Sequence, residues 1–145
     1  SASMPMVSRI VKVDDELLLD GGISDSVPIR FFNSAGYDRC VIILTQPYDY
    51  VKKPNELIPV CRIMYRKYPK LVEAMANRHI MYNETMDYIK KLEFEKKVLV
   101  IRPAGKLPVN HMTHEPDILQ ETYDEGRKEA LRRLPEIREF LNITP

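Results

Sequence analysis

The sequence predicts an α/β fold in which a partly parallel sheet is flanked by helices. Two apolar runs carry the prediction, Cys40-Val41-Ile42-Ile43-Leu44-Thr45 and Lys97-Val98-Leu99-Val100-Ile101. Continuous rather than alternating hydrophobicity over so few residues suits strands buried on both faces, the usual state of parallel sheets. The second observation is the order of elements: hairpin, helix, strand, helices, strand, helix. Alternation of this kind places helices over a parallel or mixed sheet.

Each element has its own signal. Ile10-Val11-Lys12-Val13 and Leu17-Leu18-Leu19 flank the turn-like Asp14-Asp15-Glu16, which reads as a short hairpin. Gly21-Gly22 breaks its second strand. Asp25 or Ser26 can cap a helix that starts near Pro28, and Gly36 stops it. After the first apolar run, Pro47 and the polar loop YDYVKKPN lead to helical spacing from Glu56 to about Tyr68, with Pro59 near the first turn. From Pro69 to about Phe94, Val72, Met75, His79, Tyr82, Met86 and Ile89 recur at intervals of three and four, one face of a long helix. Pro103 stops the second apolar run. Asp117 to about Leu134 reads as a helix burying Leu119, Tyr123, Ala130 and Leu134, with Pro135 interrupting it before a last short helix.

Composition bounds the function classes. The 145 residues suit one domain, and such a chain buries roughly 70% of its unfolded surface. Apolar residues at 44% and charged residues at 30% are globular values. Twenty-two basic against 21 acidic residues leave a net charge of +1, which gives no nucleic-acid footprint. Cys40 and Cys61 are too few for a disulfide framework and read as reduced core thiols. No apolar run reaches the ~20 residues of a membrane span and nothing resembles a signal peptide. A cytoplasmic setting is the expectation. The chain begins at Ser1 rather than at Met, so the expectation is a processed or excised polypeptide.

Asp20 is the candidate for chemistry. It follows three leucines and precedes Gly21-Gly22. One reading is structural, since aspartate before glycine commonly hydrogen-bonds the backbone of a turn. The other is a general base, because functional groups in open α/β sheets gather at the carboxyl ends of strands. Glycines there let backbone approach closely.

Other candidates are weaker. Gly22-Ile23-Ser24-Asp25-Ser26 falls short of G-x-S-x-G by its final glycine, so Ser24 and Ser26 read as capping residues rather than nucleophiles. His79 lies on the apolar stripe of the long helix. His111-Met112-Thr113-His114-Glu115 has neither the zincin spacing nor cysteines at zinc intervals, so no metal is expected. With five glycines there is no phosphate-binding loop, and no cofactor is expected. Arg127, Lys128, Arg132 and Arg133 lie among Glu121, Glu125 and Glu129, a mixed-charge solvated face.

Several segments together resemble the patatin-like phospholipase family. Ser1-Ala2-Ser3-Met4-Pro5 precedes a short hairpin ending in Leu19-Asp20-Gly21-Gly22, and Ser26-Val27-Pro28 follows. Arg66-Lys67-Tyr68-Pro69, Asn77-Arg78-His79, Tyr82-Asn83, Val100-Ile101-Arg102-Pro103, Tyr123 and Gly126 extend the resemblance to one bacterial branch. The resemblance implies a serine acyl hydrolase acting on lipid or other carboxylic esters through a Ser–Asp dyad. It assigns Asp20 as the dyad aspartate, with Gly21 and Gly22 as its backbone support.

The family's G-x-S-x-G serine and its glycine-rich oxyanion loop lie ahead of the D-G-G segment, and neither occurs in these 145 residues. The resemblance therefore implies that residues 1–145 are the C-terminal part of one patatin-like domain, incomplete and inert alone. Expected contacts are an acyl ester substrate and transient meetings with a membrane surface. Self-association through an uncovered sheet edge is a further expectation. The alternative is a non-catalytic interaction or regulatory α/β domain in which D-G-G is a structural turn.

Overall fold

The computed structural model describes residues 3–110 and 113–143. It is a mixed α/β chain with two small sheets, one antiparallel and one parallel. The chain forms two compact units, residues 1–34 with 51–89 and residues 35–50 with 90–145.

In the first unit, β1 (Val11–Val13) pairs antiparallel with β2 (Glu16–Leu18), with Val13 opposite Glu16. Asp14 and Asp15 both have positive φ, 46° and 67°. That is the conformation of a two-residue primed turn, whose twist matches the flanking strands. A single 3₁₀ turn spans Gly21–Ile23, followed by α1 (Ile29–Ser34), which runs out just before Gly36 at φ 88°. α2 (Ile58–Met64) starts with a proline in its first turn, as expected, and is shorter than the sequence suggests.

α3 runs Pro69–Phe94, the predicted span. Its periodic residues Val72, Met75, Tyr82, Met86 and Ile89 are buried, whereas His79 on the same stripe is half-buried. The core of this unit gathers Ile23, Cys61, Tyr65, Val72 and Met75, with Ile10, Leu19, Ile58, Leu71 and Ala74 packed against it. α1 is tied to α3 by Asn33 Nδ2 donating to the Tyr88 hydroxyl at 3.0 Å and by Arg30 over the Tyr88 ring at 4.3 Å.

In the second unit, β3 (Cys40–Ile43) pairs parallel with β4 (Val98–Ile101), Cys40 opposite Val98 and Ile43 opposite Ile101. All four β4 residues are buried, in keeping with their unbroken apolar run, whereas β3 departs from that expectation. Ile42 is buried but Ile43 is 74% exposed, so the first run is not covered on both faces. α4 (Pro116–Phe140) carries Arg133, whose Nη1 donates to the Val100 carbonyl at 2.6 Å.

Two expectations for this last helix fail. Leu119, Tyr123 and Ala130 are exposed and Leu134 is half-buried, so the helix buries no residue fully. Length gives the reason. Twenty-five helical residues extend ~37 Å at ~1.5 Å each, whereas the four-residue strand beneath extends only ~13 Å. Pro135 also does not divide the helix. It removes one backbone donor, and the carbonyl thereby released belongs to Leu131, an exposed residue, so no buried acceptor need go unpaired.

Candidate functional site

Asp20 lies where the hairpin gives way to the 3₁₀ turn. Its backbone N–H donates to the Ser3 carbonyl at 3.0 Å, joining the two halves of the segment that the sequence links. Its Oδ1 accepts from the Gly22 N–H at 2.7 Å and caps the turn. The second carboxylate oxygen accepts no hydrogen bond from the described residues.

The Gly22 peptide is engaged on both sides. Its carbonyl accepts from Arg78 Nε at 2.7 Å and from Ser26 Oγ at 2.8 Å. A Cβ at Gly22 would stand 3.0 Å from Asp20 Oδ1, tighter than ordinary contact. Glycine is therefore what lets the carboxylate fold over this peptide. Around Gly21, by contrast, there is open space, so one of the two glycines carries the steric requirement.

The two serines do what capping residues do. Ser24 Oγ donates to the Gly21 carbonyl at 3.2 Å, Ser26 Oγ to Gly22, and the Val27 N–H donates to Asp25 Oδ1 at 3.2 Å. His79 has its Nδ1 3.0 Å from the Ala76 carbonyl. His111 lies outside the described residues, as do Ser1 and Ala2 of the first motif. Among the described residues no three His, Cys, Asp or Glu side chains gather as metal ligands. Cys61 is fully buried and Cys40 half-buried, both reduced.

Beside Asp20 opens a cleft of about 300 Å³, at the small end for ligand pockets. Its walls are mainly aliphatic: Ile10, Leu17, Leu19, Ile23, Leu71 and Ala74, with Asp20, Ser24 and Tyr68 as polar contributors. A larger cleft of about 520 Å³ lies between Arg62, Arg66, Glu73 and Asn77 and does not include Asp20.

Arg78 is the residue that sequence reasoning missed. In the sequence it stands out only within Asn77-Arg78-His79, with no role of its own, and its reach to Gly22 spans 56 residues. Nearby, Lys52 has its ammonium 4.7 Å over the Tyr82 ring. Its backbone is clasped by Asn83, which accepts from the Lys52 N–H at 2.9 Å and donates to its carbonyl at 3.0 Å. Partial burial, then repulsion from Arg78, holds the Lys52 ammonium below the usual lysine range.

Fold and site thus define a mixed α/β protein with a capped aspartate at the lip of an aliphatic cleft. The chain belongs to a domain family of unknown function, DUF6363, whose model matches residues 68–142. The match takes in α3, β4 and α4 and stops short of Asp20. No curated protein and no solved structure matches the chain.

Proposed function

We propose that the chain contributes the aspartate of a patatin-like Ser–Asp acyl hydrolase. The supporting observation is the pairing of Asp20 with the aliphatic cleft: one carboxylate oxygen is fixed by the Gly22 N–H and the other takes no described hydrogen bond. In this role the second oxygen takes the proton of a serine hydroxyl as its oxygen attacks the ester carbonyl, and the ester's alcohol leaves with that proton. The cleft holds the acyl chain now on the serine. Water, deprotonated by the same carboxylate, releases it as the carboxylic acid and returns the serine hydroxyl. The serine would come from polypeptide ahead of Ser1, since no G-x-S-x-G occurs in these residues. Substrates would be lipids or other carboxylic esters with an apolar acyl group.

The cap itself favours a second reading, a non-catalytic domain in which Asp20 only closes the turn. Asp20→Asn separates the two, because asparagine keeps the capping oxygen but cannot act as base. In the polypeptide that carries the upstream serine, the substitution abolishes hydrolysis of p-nitrophenyl acyl esters while thermal stability stays within a few tenths of a kcal/mol. Retained esterase activity refutes the dyad. Fluorophosphonate labelling of Ser24 or Ser26 in the 145-residue chain refutes it equally, by locating the nucleophile within these residues.

A further inference from the structure

The stretch from Leu57 to Val72 holds four cations, Arg62, Arg66, Lys67 and Lys70, and not one Asp or Glu, in a chain whose net charge is only +1. Among the described residues none of the four has an ion-pair partner. The same stretch exposes apolar side chains. α2 turns Ile58 and Cys61 to the core, and Tyr65 follows on the same face. At about 100° per residue, Val60, Ile63 and Met64 then point away from that core. They are 46%, 79% and 55% exposed, and Leu57 beside them is 51% exposed. Arg62 stands on one flank of this outward face, and Arg66 follows just past the helix. Both also line the cleft that holds Glu73 and Asn77, and neither, among the described residues, forms an ion pair with Glu73.

An outward aliphatic face rimmed by long cationic side chains is the pattern of a helix lying in a membrane interface. Protein interfaces enrich arginine and methionine as well but are depleted in lysine, and two of the four cations here are Lys67 and Lys70. A layer of anionic headgroups can meet four cations at once, whatever their spacing, and the aliphatic side chains reach the acyl boundary beneath it. Tyr68, 38% exposed, and Leu71 belong to this stretch and also line the cleft beside Asp20. The basic surface therefore borders that cleft.

We propose that the Leu57–Lys70 surface docks on an anionic phospholipid bilayer, with Val60, Ile63 and Met64 entering the headgroup–acyl boundary and the four cations on lipid phosphates. The docking needs no ester hydrolysis, so it stands or falls apart from the role given to Asp20.

The chain has no tryptophan, so Ile63→Trp places a single reporter at an exposed position. With vesicles of phosphatidylcholine and phosphatidylglycerol in equal parts, at low salt, its emission shifts to the blue. With pure phosphatidylcholine it does not. Adding Arg62→Gln and Arg66→Gln lowers vesicle partitioning about 25-fold, at about fivefold per cation. High salt weakens binding in the same direction, as screening shortens the reach of each charge. The unsubstituted chain co-sediments with the anionic vesicles and not the neutral ones, which guards against an effect of the reporter. Equal behaviour on both vesicle types, or none on either, overturns the proposal. So does a blue shift that grows with protein concentration in the absence of lipid, because the face then meets a second copy of the chain.

Discussion

Removing Arg78 tests how the Asp20 turn is held. Gly22 offers one carbonyl to two donors, Arg78 Nε at 2.7 Å and Ser26 Oγ at 2.8 Å. Arg78→Met keeps the aliphatic stem on α3 and deletes the charged donor, while Ser26→Ala deletes the hydroxyl. Hydrogen bonds from charged groups contribute about 1.5–3 kcal/mol and neutral ones about 1 kcal/mol. The site is only partly buried and either donor alone still satisfies the carbonyl, so each single substitution should cost about 1 kcal/mol or less.

The double variant differs in kind. It leaves the carbonyl without a protein donor, which adds a desolvation penalty of about 1 kcal/mol to the sum of the two singles. Urea unfolding followed by far-ultraviolet circular dichroism reads this as a midpoint loss of roughly 0.5 M per kcal/mol, for a slope near 2 kcal/mol/M. Hydrogen exchange at the Gly22 amide, which donates to Asp20, should accelerate most in the double variant. Additivity within about 0.5 kcal/mol would refute the shared-acceptor argument. Unchanged Gly22 protection would show that Arg78 does not hold the turn.

Two more outcomes concern the rest of the chain. Ile89 is 1% exposed, and Ile89→Ala should cost about 2–5 kcal/mol through lost burial and a residual cavity, measurable in the same melts. On α4, Glu136 is held below its ordinary value of 4.5, chiefly by the paired hydrogen bonds from Arg133 and against the opposing effect of burial. A depressed carboxylate stabilises the folded chain above 4.5 and loses that contribution as pH falls through its lowered value. The stability gap between the native chain and Glu136→Gln should thus be constant near neutral pH and close on acidification. Its size stays within a few tenths of a kcal/mol because Glu136 itself is exposed to solvent. A gap that widens in acid contradicts the pairing.

Much of the fold is legible in the chain because the signals are local. The two-residue turn at Asp14-Asp15, the unbroken apolar run of β4 and the three-four spacing of α3 each follow from neighbours within a few residues. α4 departs from its pattern for the opposite reason. Helical spacing of Leu119, Tyr123 and Ala130 says that a face could be buried, not that a neighbour exists to bury it. Pro135 likewise reads as a break, yet the helix passes through it at a position where the released carbonyl belongs to an exposed residue, Leu131.

At the site the division is similar. The sequence by itself determined that Asp20 precedes a pair of glycines, that Ser24 and Ser26 lack the elbow a nucleophile needs, and that the basic run from Arg62 to Lys70 has no acid within it. Only the tertiary structure decided which glycine is required, that the aspartate caps Gly22 beside an aliphatic cleft, and that Arg78 reaches across 56 residues to the same peptide. The tertiary structure also turned Val60, Ile63 and Met64 outward, since the core had already taken Ile58, Cys61 and Tyr65. Local spacing fixes which residues share a face. What meets that face depends on contacts between residues far apart in the chain, and no window of neighbouring residues contains them.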